Sequence, residues 1–253
     1  MAADVTIPRP EAPAAVIAHR GASGTAPENT AAAFRQAAAL GARWVEFDVT
    51  LMACGTPVVL HDATLARTTG HNLVARSLTV EALEGLDAGG WFDPTFAGEP
   101  VPRLDETLAL LAALRLGFNL ELKPHGASGQ TGEAVARVLA ATRPGPAMTV
   151  SSFDHDALAA FRAQLPSVPV AVLYRAPAED WRETAWTLRA EALHLEYREA
   201  TPELVAEAHE AGLALRVFTA NDPAHVAPLR AAGLDAVVTD FPERFLRDPD
   251  WGG

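Results

Sequence analysis

Val16-Ile17-Ala18-His19-Arg20-Gly21, continued by Ala22-Ser23-Gly24-Thr25-Ala26-Pro27-Glu28-Asn29-Thr30, decides how the rest of the chain is read. A short apolar run ends in a histidine, an arginine and a glycine, and the Pro-Glu-Asn-Thr segment then opens a run of helical period. This is a strand handing polar side chains to a loop that leads into a helix. The loop sets a titratable imidazole beside a permanent cation, a pairing suited to a phosphate that must be both gripped and protonated.

The same unit recurs along the chain. Apolar runs rich in β-branched residues predict strands at about 15–19, 43–49, 57–60, 117–123, 147–152, 169–174, 191–196, 213–219 and 235–239. Helical periodicity predicts helices at about 30–40, 104–115, 131–142, 154–164, 179–189, 202–211 and 223–232. Folding 43–49 and 57–60 into one β unit with a hairpin-like extension leaves eight units, and the fold expected is an α/β (β/α)8 barrel over residues 15–247. A doubly wound open sheet is the fallback, but no Gly-x-Gly-x-x-Gly follows any strand. Asn29 or Thr30, Asp154 and Thr201 read as helix N-caps, and Gly41, Gly117, Gly212 and Gly233 as helix stops. From Ala63 to Arg103 the glycines, prolines and the aromatics Trp91, Phe92 and Phe96 break the rhythm. That segment reads as an insertion over the top face, placed to shape substrate choice. Residues 1–14 read as a flexible tail.

With 253 residues, 49% of them hydrophobic, the chain is long enough for a sizeable core. Its net charge of −12 argues against nucleic acid or an anionic membrane surface as a partner. The lone Cys54 permits no intramolecular disulfide, and no signal peptide or membrane-spanning run is evident, so a soluble cytoplasmic protein is expected. Oligomeric state is not legible. Lys123 is the one lysine among 20 basic residues, which suggests a site that wants a compact ammonium.

In an α/β barrel, chemistry is carried at the C-terminal ends of the strands. His19 and Arg20 end the first unit, Glu46 and Asp48 lie in the second, His61 and Asp62 end its extension, and Glu121 and Lys123 end the third. Glu46 and Asp48 are two apart, as are Glu121 and Lys123, so each pair shares one face of its strand. Three converging carboxylates repel one another unless a cation lies between them. A hard divalent cation suits them, and salt bridges to Arg20 and Lys123 alone are the alternative. Two histidines flanking such a cluster fit an acid and base pair. Asp62 could orient His61 or cap the following turn, with the cap favoured, and the other histidines receive no role.

His19-Arg20-Gly21, Pro27-Glu28-Asn29-Thr30, Glu46-Phe47-Asp48, Pro57-Val58-Val59-Leu60-His61-Asp62 and Glu121-Leu122-Lys123-Pro124, in this order, closely resemble the glycerophosphodiester phosphodiesterases. The resemblance continues through Ser151-Ser152-Phe153, Leu193-His194-Leu195, Val217-Phe218-Thr219-Ala220-Asn221 and Asp235-Ala236-Val237-Val238-Thr239-Asp240-Phe241-Pro242. It implies a TIM barrel that binds one divalent cation, Ca2+ or Mg2+, and hydrolyses deacylated phospholipid head groups to sn-glycerol 3-phosphate and an alcohol. By motif match it implies Glu46, Asp48 and Glu121 as metal ligands, His19 and His61 as the acid/base pair, and Arg20 and Lys123 as phosphate contacts. Ala53-Cys54-Gly55 stands where the family often has Lys-Asp-Gly. Phe218 stands where Trp or Tyr is common, and Glu196 after His194 where Asn is common; His194, Glu196 and Phe218 are therefore the expected substrate-pocket positions. Rival readings are phospholipase-like action on a lysophospholipid or inositol lipid, and a non-catalytic barrel that binds a phosphorylated metabolite.

Overall fold

Each apolar run of the sequence becomes a strand with one face toward the barrel axis and the other toward a surrounding layer of helices. The computed structural model describes residues 15–145 and 147–251, so the tail expected over 1–14 lies outside the described residues. The strands are β1 (Val16–His19), β2 (Trp44–Leu51), β3 (Pro57–Val59), β4 (Gly117–Leu122), β5 (Met148–Ser152), β6 (Val170–Tyr174), β7 (Ala192–Glu196), β8 (Ala214–Phe218) and β9 (Ala236–Thr239). The helices are α1 (Ala31–Ala39), α2 (Ala66–Thr69), α3 (Leu104–Leu114), α4 (Ser128–Thr142), α5 (His155–Gln164), α6 (Trp181–Leu188), α7 (Pro202–Glu210), α8 (Pro223–Ala231) and α9 (Pro242–Leu246).

All these strands except β3 run parallel in the order β1-β9-β8-β7-β6-β5-β4-β2, and a β1–β2 pairing closes the ring. The fold is a (β/α)8 TIM barrel. β3 is the hairpin-like extension, antiparallel to β2 with Val49 opposite Val59. Alternation within the strands divides the apolar core in two. Outward residues such as Val45, Phe47, Leu120, Leu193 and Val217 pack with the helices in one large cluster, whereas Ile17, Trp44, Ala236 and Val238 form a separate cluster inside the barrel.

Thr30, Asp154 and Thr201 cap α1, α5 and α7 through their side chains, as the sequence indicates. Gly41, Gly212 and Gly233 follow helix ends with positive φ. Gly117 does not; Arg115 takes the left-handed position after α3, and a Cβ on Gly117 would collide with the Trp44 ring. Gly117 is therefore a packing glycine, which frees the interior for Trp44. The 63–103 segment contains α2 and three short 3-10 turns around Leu65, Ala75, Leu83, Ala88 and Val101. None of the described helices is long and apolar enough to cross a membrane.

Candidate active site

Strand register assembles the site. Pairing of β1 with β2 sets His19 against Glu46, and pairing of β2 with β4 sets Asp48 against Glu121. Glu46, Asp48 and Glu121 are all buried, and each offers an oxygen within 4.8 Å of the others'. The strand end that carries Lys123 brings its Nζ to 2.5 Å from Glu121 Oε1 and 3.4 Å from Asp48 Oδ1.

The Pro27-Glu28-Asn29-Thr30 segment does three different jobs in three successive residues. Glu28 accepts a hydrogen bond from Arg20 Nη1 at 2.7 Å. Asn29, in the left-handed region at φ 57°, binds Asp48 twice, donating from Nδ2 to Oδ2 at 2.9 Å and accepting from the Asp48 amide at 3.2 Å. Thr30 caps α1. Arg20 itself has φ 54° and precedes Gly21 at φ 82°. A left-handed arginine costs about 1–3 kcal/mol. Here that conformation aims its amide at Glu46 Oε2 (3.1 Å) while its Nε lies 3.1 Å from Asp48 Oδ2.

The charges do not balance, because three carboxylates face two cations. Burial, reinforced by repulsion from Asp48 and Glu121, holds Glu46 well above the usual carboxylate range. Burial likewise pushes Glu121 up to about 7 even though Lys123 opposes it. Asp48 also suffers burial, yet Arg20, Lys123 and His61 outweigh it and keep the group ionised. Glu46 Oε1 is buried with no hydrogen-bond partner. Three oxygen donors, one of them unpartnered, and an excess negative charge fit a hard divalent cation. The alternative of salt bridges alone leaves that oxygen and that charge unmet.

Both histidines are oriented by carboxylates. His19 Nδ1 lies 2.6 Å from Asp240 Oδ1, and its Nε2 is 3.9 Å from Glu46 Oε2. Asp240 is held by Ser23 Oγ at 2.9 Å and by Asn221 Nδ2 at 2.7 Å. His61 Nδ1 lies 2.6 Å from Asp62 Oδ1, so Asp62 orients its neighbour and the cap reading is wrong. Burial lowers the His61 pKa despite the pull of Asp48, which leaves the imidazole neutral at pH 7.

A cavity of about 190 Å³ gathers these groups, with His19, Arg20, Glu46, His61, Glu121 and Lys123 in its lining. Phe153 and Phe218 meet edge to face at 5.7 Å on its wall. His194 lines the cavity too, but as a buried residue whose Nε2 faces Arg216 Nη1 at 3.3 Å. Burial and that guanidinium hold its pKa well down. Glu196 is not among the lining residues; its carboxylate turns outward to Arg198 at 2.9 Å, because the exposed lip of β7 offers it a cation there. No residue of 63–103 is among those lining this cavity, although Thr68, Ala88 and Val101 border a smaller hollow that His61 also lines.

Residues 19–244 match the Glycerophosphoryl diester phosphodiesterase family. The chain belongs to this family. A glycerophosphodiester phosphodiesterase of Caldanaerobacter subterraneus subsp. tengcongensis is 34% identical over 240 residues, 94% of this chain and 98% of the relative. A putative glycerophosphodiester phosphodiesterase of Bacillus subtilis is 34% identical over 92% of this chain and 97% of its own. Among solved structures, an Oleispira antarctica phosphodiesterase in complex with the product sn-glycerol-3-phosphate superposes with a TM-score of 0.86 at 34% identity, covering 94% of this chain and 95% of that one.

Four contributors escape a family-blind reading of the sequence. Asp240, Phe153 and Arg175 sit at the ends of β9, β5 and β6, where a search for polar or aromatic strand-end residues carried past the third unit would meet them. Glu28 carried no signal beyond its place in the motif.

Proposed function

We infer that this chain hydrolyses glycerophosphodiesters to sn-glycerol 3-phosphate and an alcohol. The observation that carries the reading is the convergence, at and just behind one cavity, of two carboxylate-oriented imidazoles, two cations and a buried carboxylate triad. The product named in the Oleispira antarctica complex supports the same reaction.

Glu46, Asp48 and Glu121 would hold one divalent cation, Ca2+ or Mg2+, which supplies Lewis acidity toward the phosphodiester when bound. Arg20 and Lys123 neutralise the phosphate oxygens. His61, neutral and with Nδ1 engaged by Asp62, offers Nε2 to remove a proton from the attacking hydroxyl, either water or the glycerol 2-hydroxyl, the latter giving a cyclic phosphate that water then opens to the monoester. His19, with Nδ1 engaged by Asp240, gives a proton to the leaving alcohol through Nε2. Phe153 and Phe218 wall the head group.

The test is release of glycerol 3-phosphate from glycerophosphoethanolamine and glycerophosphocholine, before and after EDTA, and after Ca2+ or Mg2+ is restored. Release that EDTA abolishes and one metal restores supports the reaction and names the ion. No release under either metal overturns it.

A further inference from the structure

Arg67 belongs to α2, at the start of the 63–103 segment, and lines no part of the cavity. Its guanidinium nevertheless reaches two carboxylates that stand directly behind the chemistry. Arg67 Nε donates to Asp62 Oδ2 at 2.8 Å and Nη2 approaches Asp62 Oδ1 at 3.3 Å. Toward the other side, Nη1 donates to Glu28 Oε2 at 2.5 Å and Nη2 to Glu28 Oε1 at 2.8 Å. Asp62 Oδ1 holds His61 Nδ1, and Glu28 Oε1 holds Arg20 Nη1. A continuous path therefore runs His61, Asp62, Arg67, Glu28, Arg20.

We propose that Arg67 is a positioning residue for the reaction, a clamp that fixes Asp62 behind His61 and Glu28 behind Arg20 with one guanidinium. The proposal rests on the roles given above to His61 and Arg20. Asp62 is partly exposed and sits in a loop, so alone it has several rotamers and water competes for its oxygens. Two-point contact with a planar fork removes that freedom. With Oδ2 taken by Arg67, Oδ1 is left to accept the His61 Nδ1 proton, and Nε2 becomes the free nitrogen of the imidazole. On the other side, Glu28 held at both oxygens fixes the direction of Arg20. A lysine at 67 presents a point charge and cannot grip both carboxylates through a fork.

A merely structural salt bridge predicts something else. A bidentate, networked pair whose Glu28 side chain is only 12% exposed contributes to stability, so a merely structural role predicts that its loss lowers the melting temperature and leaves kcat of the folded enzyme and the His61 tautomer unchanged. The clamp instead predicts that Arg67→Met, assayed well below its melting temperature, lowers kcat by on the order of tenfold to a hundredfold, through misplacement of the two groups. Arg67→Lys is expected to retain an intermediate kcat, and added guanidinium ion to restore part of the Arg67→Met loss. Arg103→Met removes another arginine, one that pairs with Asp105, and is expected to behave as wild type. Combining Arg67→Met with Asp62→Asn should cost much less than the product of the two single losses.

Imidazole 15N shifts of His61 give a readout that needs no turnover. They are expected to show protonation at Nδ1 in the wild type and a mixed tautomer in Arg67→Met, or in Arg67→Lys should the methionine variant not fold. A wild type without phosphodiesterase activity would sink the functional reading while the tautomer measurement still decides the clamp. Unchanged kcat in Arg67→Met, fully additive losses with Asp62→Asn, or an unaltered His61 tautomer would overturn it.

Discussion

His19 and His61 each place Nδ1 2.6 Å from a carboxylate, but the two carboxylates are anchored by opposite means. Asp240 is held by neutral donors, Ser23 and Asn221, that belong to the barrel rim. Asp62 is held by a charged arginine from a segment that is not part of the barrel. The His19 arm is thus built from short, poorly screened hydrogen bonds within the fold, and the His61 arm from ion pairs at a wetter edge. The difference teaches that one geometry can be reached by framework rigidity or by electrostatics, and that the two should fail under different stresses.

Removal of the imidazoles is the coarsest way to test the symmetry. His19→Ala and His61→Ala are each expected to lower kcat by on the order of a hundredfold or more, measured as glycerol 3-phosphate release. Near-normal turnover in either variant would remove that arm from the scheme. Replacing the anchors should then separate the arms. Asp240→Ala strips the partner from His19, Ser23 and Asn221 together, so kcat falls and stability drops by roughly 1–3 kcal/mol, read as a lower melting temperature. Asp62→Asn should lower kcat with little change in melting.

The pH profile sharpens the comparison further. As the proposed base, His61 must be neutral to accept a proton, and burial puts its folded pKa below the ordinary 6.5, so kcat/KM is expected to persist as pH falls through 6.5 and to be lost only below it. An acid limb above 6.5 would reverse the assignment of base. Asp240, whose hydrogen bonds overcome burial and hold it at about 2, contributes stability that is complete above the unfolded value near ~3.9 and lost as pH falls toward 2. The smallest expected effect is that of salt. At ~1 M NaCl, where the screening length is about 3 Å, kcat at saturating substrate should fall by a few fold in wild type and in Asp240→Asn. It should hardly change in Asp62→Asn, where the charged arm is already broken.

Much of this architecture was legible because parallel barrel strands are buried on both faces and read as apolar runs with turn residues between them. The convergence of Glu46, Asp48 and Glu121 followed from their period-two spacing, and β-sheet register then did the rest. Long-range partnerships were not legible. Nothing local in the sequence connects Asp240 to His19 or Arg67 to Glu28, since both depend on ring closure and on the path of a long excursion. Gly117 looked like a helix stop because its other duty, yielding room to Trp44, exists only across the sheet. Glu196 misled for a related reason: strand parity points it inward, but one step past the lip an exposed arginine captures it. The short helices α2 and α9 have too few residues to show a period.

The pairing of β1 with β9 has a consequence for how the protein is made. The first of the two imidazoles is synthesised 221 residues ahead of the aspartate that orients it. While the chain is still emerging from the ribosome, His19 has no orienting partner and β1 has no neighbour on that side. Hydrolytic competence therefore arises late, at the closing of the ring, and a chain that stops short of β9 carries Glu46, Asp48, Glu121, Arg20 and Lys123 without the means to use them together.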